Sequence, residues 1–460
     1  MSESAGLFDG VLAAGPVREL VSDAAWLQAM LDFEGALAFA EADAGLVPVE
    51  HAVTIAAQCR AGYYDVAEIG AAATGIGNPA GPVVRALTAR VGGTAAGYVH
   101  LGATSQDVMD TAAMLVSRRA LAALLTDLAA VSDLLVWLAD EHASTVQAGR
   151  SLLQQALPVT FGLTAAGWLS GVDAAIDRLT VLREWRLAVQ FGGAAGTLAS
   201  LGEHGPMVLA GLAGRLELAE PVLPWHTERS RIAELAGALG AVSGAVAKIA
   251  GDIVLLAQTE VAEVYEQGPA GAGGSSTMPH KRNPVAAVSA AASAAQSPGL
   301  VATLLAASAH EHQRAAGSWH AEWRPFSELL RSTGSALSWL RTSLERLRVD
   351  PERMRANLEL TGGLLLAERI TIELVRASAD DGLDSEVGRL VAHDAVTACC
   401  HLAVDGAGTL VDLLAADPLV GKFLDRGRIA ELLDPAGYLG SAQAFVDRAL
   451  TAHRERKERS

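Results

Sequence analysis

Residues 227–266 read TERSRIAELAGALGAVSGAVAKIAGDIVLLAQTEVAEVYE. Along this stretch Ile232, Leu235, Leu239, Val242, Val246, Ile249, Ile253 and Leu256 recur every three or four residues. That spacing lays one continuous apolar face along an α-helix. Gly237, Gly240 and Gly244 lie within it, where small residues let neighbouring helices approach closely. A helix of about forty residues exceeds the ordinary globular length and needs its faces covered by neighbours, other subunits among them.

The same period recurs on both sides. The spacing predicts helices over 22–45, 109–142, 159–187, 284–308 and 327–347. Trp26, Met30, Phe33, Leu37 and Phe39 mark the first, and Leu115, Leu121, Leu125, Leu128, Leu135 and Leu138 the second. No alternating strand pattern stands out. The expected fold is all-α: an N-terminal helical domain over 1–108, a long central bundle over 109–350 and a C-terminal helical domain over 351–460. The charged end from His453 is expected to fray.

Composition agrees and narrows the partners. Hydrophobic residues make up 51% of the 460, yet aromatics only 5%, so Ala and Leu carry the apolar content, as in tightly packed helices. The net charge of −17 argues against nucleic acid or an anionic membrane as partner. An anionic substrate would need a local positive pocket. Cys59, Cys399 and Cys400 have no metal-ligand spacing, and a reduced, cytoplasmic setting is the simplest reading. The opening MSESAGLFDG lacks the features of a signal peptide, and no stretch reads as a membrane span.

Three irregular segments interrupt the helices. The richest is Gly273–Pro284, GGSSTMPHKRNP, preceded by the glycine-rich Gly268–Ala272. It combines a hinge-like glycine run with two hydroxyls and Lys281, one of only four lysines in the chain. Asn283 suits an N-cap and Pro284 the first helical position, so the segment reads as a lid ending at an anion-binding helix N-terminus. The second, His100–Asp107 (HLGATSQD), offers hydroxyls, an amide and a histidine before a long helix. Taken alone, Thr104, Ser105 or Asp107 would serve there as helix caps. The third is Gly149–Pro158, GRSLLQQALP.

Together these segments resemble the fumarase/aspartase superfamily. GSSTMPHKRNP is similar to its G-S-S-x-M-P-x-K-x-N-P signature, VHLGATSQDVMDT to its first region and GRSLLQQALP to its second. The resemblance implies that Ser275 is the catalytic base, that Lys281 and Asn283 hold a substrate carboxylate, and that Thr104 and Ser105 hydrogen-bond the carboxylate that gains charge. It places His100 and Gln154 against substrate. The family's second-region histidine is Leu152 here, and leucine cannot transfer a proton. FGGAAGTLA at 191–199, PWHT at 224–227, Glu311-His312, SWHAEW at 318–323 and YLGSA at 438–442 resemble the 3-carboxy-cis,cis-muconate cycloisomerase branch of the superfamily, as does His142. The branch usually has Glu-Arg where Gln313-Arg314 stands, and Arg314 is a candidate carboxylate clamp.

The resemblance implies proton transfer alpha to a carboxylate of a polycarboxylate, through a doubly charged aci-carboxylate. The expected reaction is lactonisation of 3-carboxy-cis,cis-muconate; the alternative is β-elimination of fumarate from a nitrosuccinate or adenylosuccinate type of substrate. A non-catalytic helical scaffold is the third reading, against which Ser275, Lys281 and Asn283 speak. No metal, nucleotide or redox cofactor is implied. The family's composite sites imply a homotetramer.

Overall fold

The structure, a computed structural model, describes residues 6–269, 278, 281–380 and 387–459. The chain is all-α. Its longest elements are the helices Asp23–Asp43, Ser105–Glu141, Phe161–Val181, Ser230–Leu256 and Ser318–Arg346. Contacts within the chain divide it into two units, one of residues 1–131, 172–251 and 285–343, the other of 132–171, 252–284 and 344–460.

In the first unit Ser22 starts the Asp23–Asp43 helix by accepting the Ala25 N–H on its hydroxyl at 3.3 Å. That helix packs on Val49–Gln58 and Gly205–Leu216. Its Phe33 is fully buried against Phe191, with ring centroids 6.5 Å apart. Burial of one such side chain stabilises by about 1.5–3 kcal/mol. The periodic face of the Ser230–Leu256 helix behaves as its spacing predicts: Ile232, Leu235, Leu239, Val242, Val246 and Ile249 are at most 2% exposed. Buried hydroxyls satisfy one another between helices, with Ser243 Oγ 2.7 Å from Ser297 Oγ and 3.2 Å from Thr333 Oγ1.

Several boundaries differ from the sequence expectation, each for a local reason. The helix expected over 227–266 is Ser230–Leu256; Ala262 takes a positive φ of 51°, and Val264–Glu266 then pairs antiparallel with Leu347–Val349. The stretch 284–308 forms two helices, Val285–Ala294 and Ser297–Ala306, broken just before Pro298, which has no N–H to continue the ladder. The Ser318–Arg346 helix starts well before 327 and runs through Pro325. An internal proline costs about 3 kcal/mol, but Trp319, Glu322 and Phe326 in those early turns are all buried, and their packing offsets it.

In the second unit the passage 149–158 is a β-hairpin rather than an irregular connection. Val146–Ser151 pairs antiparallel with Gln154–Thr160, with a register shift between Ala148 and Arg150. Leu152 and Leu153 make the turn, both at positive φ (51° and 63°) and both exposed. Arg150 forks onto the buried Glu263 at 3.0 and 2.6 Å, and Asn357 Nδ2 donates to the same carboxylate at 2.8 Å. The chain end is ordered as helix Ala442–Arg459: His453 is buried 3.3 Å from Ser132 Oγ, and Lys457 pairs with Asp133 at 2.6 Å. These anchors explain why it does not fray as its charge predicts.

Three helical stretches, Ser105–Glu141, Ser230–Leu256 and Val285–Ala306, are long and apolar enough to cross a membrane by length and composition, contrary to the sequence expectation. Within the chain only 44%, 44% and 39% of their most apolar windows are buried.

Candidate active site

Ser105 opens the Ser105–Glu141 helix, which puts Thr104 at the N-cap and Asp107 at the third helical position. Asp107 Oδ2 reaches back to accept the Thr104 N–H at 3.0 Å, the carboxylate half of a capping box. The hydroxyl half is not made. Among the described residues neither Thr104 Oγ1 nor Ser105 Oγ has a hydrogen-bond partner, so both remain available at a helix N-terminus. Of the three capping residues the sequence offered, the structure uses Asp107.

Asp107 also joins this turn to the glycine-rich loop. Its Oδ1 accepts the Gly192 N–H at 3.0 Å and lies 2.6 Å from His226 Nε2; its Oδ2 accepts the Gly193 N–H at 2.9 Å. Gly193 has φ +65°, and a Cβ there would fall 2.8 Å from the Gly102 carbonyl oxygen. The close approach of the two loops therefore requires glycine.

Arg314 stands over the same loop. It donates to the carbonyls of Gly193 and Gln313. Burial lowers its pKa, opposed by the charges of Asp107 and Asp110, and a guanidinium in such a place stays charged. Its remaining N–H groups suit a planar carboxylate.

His100 has φ +61°, and its Nδ1 lies 2.7 Å from Oε1 of the fully buried Glu34. Burial pushes the imidazole pKa down, but the charge and hydrogen bond of Glu34 and the charge of Asp107 outweigh it, so the net shift is upward. Two turns along the same helix Glu41 is wholly buried, and among the described residues neither of its carboxyl oxygens has a partner; burial, then the charge of Glu34, push its pKa up to about 9.

Beneath the turn runs a buried polar frame. Arg229 donates to Asp110 at 2.7 and 3.1 Å and to Glu322 at 3.1 and 2.5 Å. Trp319 Nε1 donates to Asp110 at 3.1 Å, and His310 Nε2 lies 3.1 Å from Glu322. Gln106 donates to Asp110 and to the His226 carbonyl. Arg229 is 1% exposed and its partners only 4%, so this frame is shut off from solvent and braces the turn above it.

The first unit thus gathers His100, Thr104, Ser105 and Arg314 around Asp107 and Gly193. The other expected residues belong to the second unit. Gln154 is the first residue of its strand after the leucine turn and is exposed. Lys281 is exposed, its N–H bonded to the Met278 carbonyl at 3.0 Å. Asn283 lies two residues before the Val285–Ala294 helix, with Pro284 rather than Asn283 immediately ahead of it. Ser275 lies outside the described residues. His142 packs against Trp137 and Phe161 and its Nδ1 lies 3.0 Å from Thr145 Oγ1, the setting of a structural histidine.

Glu34, Asp110, His226, Arg229, His310 and Glu322 carry much of the arrangement and were not singled out from sequence for a role. For Glu34 a signal existed: Met30, Glu34, Leu37 and Glu41 share one helix face, so two carboxyls interrupt an apolar stripe.

A family model described as Lyase matches residues 12–299, and one described as Adenylosuccinate lyase C-terminus matches 363–449. The chain is 47% identical over 450 residues to the 3-carboxy-cis,cis-muconate cycloisomerase of Pseudomonas aeruginosa, covering 97% of this chain and 96% of that protein. It is 42% identical over 456 residues to the nitrosuccinate lyase of Streptomyces davaonensis, covering 97% and 94%. The crystal structure of the 3-carboxy-cis,cis-muconate lactonizing enzyme from Pseudomonas putida superposes with a TM-score of 0.91 at 43% identity, covering 98% and 99%.

Proposed function

The chain belongs to the fumarase/aspartase superfamily, and from that premise we propose that it is a cycloisomerase closing 3-carboxy-cis,cis-muconate to carboxymuconolactone. The observation that carries this reading is the pair of hydroxyls, Thr104 and Ser105, without a partner among the described residues at the N-terminus of a long helix, with the capping duty taken by Asp107. Such a turn offers donors where a carboxylate gains charge. Arg314 adds a cation in the same unit.

In this reading one substrate carboxylate oxygen adds to the ring-closing double bond, forming a C–O bond. The electron pair moves toward the neighbouring carboxylate, giving the aci-carboxylate. A proton is then delivered to the carbon alpha to it, so that the attacking carboxylate becomes the lactone ester and the product carries one negative charge fewer than the substrate. Ser275 is the group we propose for that proton, as base in the lactone-opening direction and its conjugate acid in the closing one. Lys281 and Asn283 would hold a carboxylate, and Gln154 another substrate oxygen. Leu152, at the tip of its hairpin, supplies no proton.

A second reading, β-elimination releasing fumarate from a substituted succinate, is favoured by the 42% identity to a nitrosuccinate lyase. We further propose a homotetramer whose sites combine segments of several subunits, in the cytoplasm and in aromatic catabolism. The half-covered apolar helices support assembly. The test is direct. Purified protein is incubated separately with carboxymuconate, nitrosuccinate and adenylosuccinate while ultraviolet absorbance is followed. Consumption of carboxymuconate is expected; fumarate formed from another substrate, with carboxymuconate untouched, would overturn the first reading in favour of the second.

A further inference from the structure

We propose that Glu34 is a positioning residue of this site, acting through His100: its buried carboxylate accepts from Nδ1, fixes the orientation of the ring and leaves the Nε2–H of the imidazolium as the donor offered to an anionic substrate. The proposal rests on the reading above that the 100–107 turn receives a polycarboxylate.

Two unfavourable features converge on this one hydrogen bond. Glu34 is fully buried, and His100 Nδ1 at 2.7 Å is its one hydrogen-bond partner among the described residues; Oε2 has none. A carboxylate taken out of water costs several kcal/mol unless it is well paired. His100 holds φ +61°, a left-handed conformation that costs a non-glycine residue roughly 1–2 kcal/mol. A packing role on a buried helix stripe calls for neither; an apolar side chain would fill it at lower cost. Costs of this kind persist where the geometry they enforce is used.

The surrounding charges decide the protonation state. Glu34 faces the ring from its own helix, and Asp107 acts on it from the start of the Ser105–Glu141 helix. Asp107 is in turn bonded to His226, and Arg314 lies near enough to feel its charge. Glu41 and Cys59, the other titratable groups coupled to Glu34, have pKa values pushed up to about 9 and about 12, each by burial first and Glu34 next, and add no charge at neutral pH. Burial opposes the imidazolium, but Glu34 and Asp107 prevail. With Nδ1–H donated to Glu34, Nε2–H of the imidazolium is a charged donor, about twice as strong as a neutral one.

The sign follows. A histidine with a raised pKa is protonated below that value and loses its charge as pH rises through it. If the charge serves binding, kcat/KM falls on the alkaline side with the His100 titration.

The test compares wild type with Glu34→Gln, Glu34→Asp, His100→Gln and the Glu34→Gln/His100→Gln double variant, all checked by thermal melting. Protein labelled with ¹³C at histidine Cε1 reads the His100 titration, assigned by its loss in His100→Gln. Glu34→Gln is expected to lower the His100 midpoint, to move the alkaline limb of kcat/KM down with it, and to cut kcat/KM at pH values between the two measured midpoints by roughly tenfold, mostly through KM. Glu34→Asp keeps the charge and should retain the raised midpoint; it carries the test if the Gln variant does not fold. In the His100→Gln background, Glu34→Gln should add no further loss. An unchanged midpoint in a folded Glu34 variant lacking the charge, a lowered midpoint in Glu34→Asp, or losses that multiply in the double variant would overturn the proposal. Failure of wild type to turn over any polycarboxylate would instead sink the functional reading, and the histidine titration would still report on Glu34 and His100.

Discussion

His226 Nε2 lies 2.6 Å from Asp107 Oδ1, and both side chains are buried. With three backbone N–H groups on the same carboxylate, this contact makes Asp107 the joint between the hydroxyl turn, the glycine-rich loop and the passage that precedes the Ser230–Leu256 helix. Asp107→Asn keeps the volume but turns part of an all-acceptor group into a donor facing other donors. A loss of about 3–5 kcal/mol in stability is expected, the scale for breaking a buried charged contact. Denaturant unfolding would check it; a change below about 1 kcal/mol would contradict the structural role given to Asp107.

Thr104→Val and Ser105→Ala should separate chemistry from folding. Because Asp107 caps the helix and the two hydroxyls are unengaged, each variant is expected to melt within about 0.5 kcal/mol of wild type. Each should lose roughly 10²–10³ in kcat, as when an oxyanion-stabilising donor is removed. Full activity in both variants would show that the hydroxyls do not meet the developing charge.

Ser275→Ala is expected to abolish turnover while leaving the circular dichroism spectrum and melting temperature unchanged. Near-normal turnover would remove Ser275 as the proton-transferring group.

Glu41 gives a stability prediction with a definite sign. Its pKa is raised from 4.5 to about 9 in the folded chain by burial and then by the charge of Glu34. Between those values the folded state retains a proton that the unfolded state has lost, so stability falls as pH rises, by at most about 1.4 kcal/mol per pH unit. Glu41→Gln should flatten this slope and stabilise the protein at pH 8 more than at pH 5. Parallel urea titrations at the two pH values measure it.

The hairpin tip offers a test of strain. Two-residue turns with positive φ at both positions favour Asn-Gly, yet Leu152 and Leu153 stand there. Leu152→Asn with Leu153→Gly is expected to raise stability by about 1–2 kcal/mol, through relieved backbone strain. If kcat/KM falls in this more stable protein, the leucines are retained for the substrate rather than for the hairpin.

These cases also show where the sequence was readable. Ile232 to Leu256 follow one period without interruption, and the helix is found with its buried face as expected. Ser22 announces the start of its helix by its own hydroxyl. The hairpin was hidden because Leu152 and Leu153 are not turn-forming residues, and Pro325 hid the early turns of a helix that tertiary packing enforces. Thr104, Ser105 and Asp107 were legible as capping residues, but which of them caps depends on backbone N–H groups from Gly192 and Gly193, some 85 residues away. Glu34 stood on an apolar stripe and His100 in the first signature region, but nothing in the sequence showed that the two, 66 positions apart, meet.

The half-covered faces of the Ser105–Glu141 and Ser230–Leu256 helices carry a last consequence. If copies of the chain cover them, dilution acts as a denaturant: the same enzyme would keep its activity at micromolar concentration and lose it on standing at nanomolar concentration, with no change of temperature or solvent. Specific activity would then depend on how long a diluted sample has waited, and substrate added before dilution would preserve it.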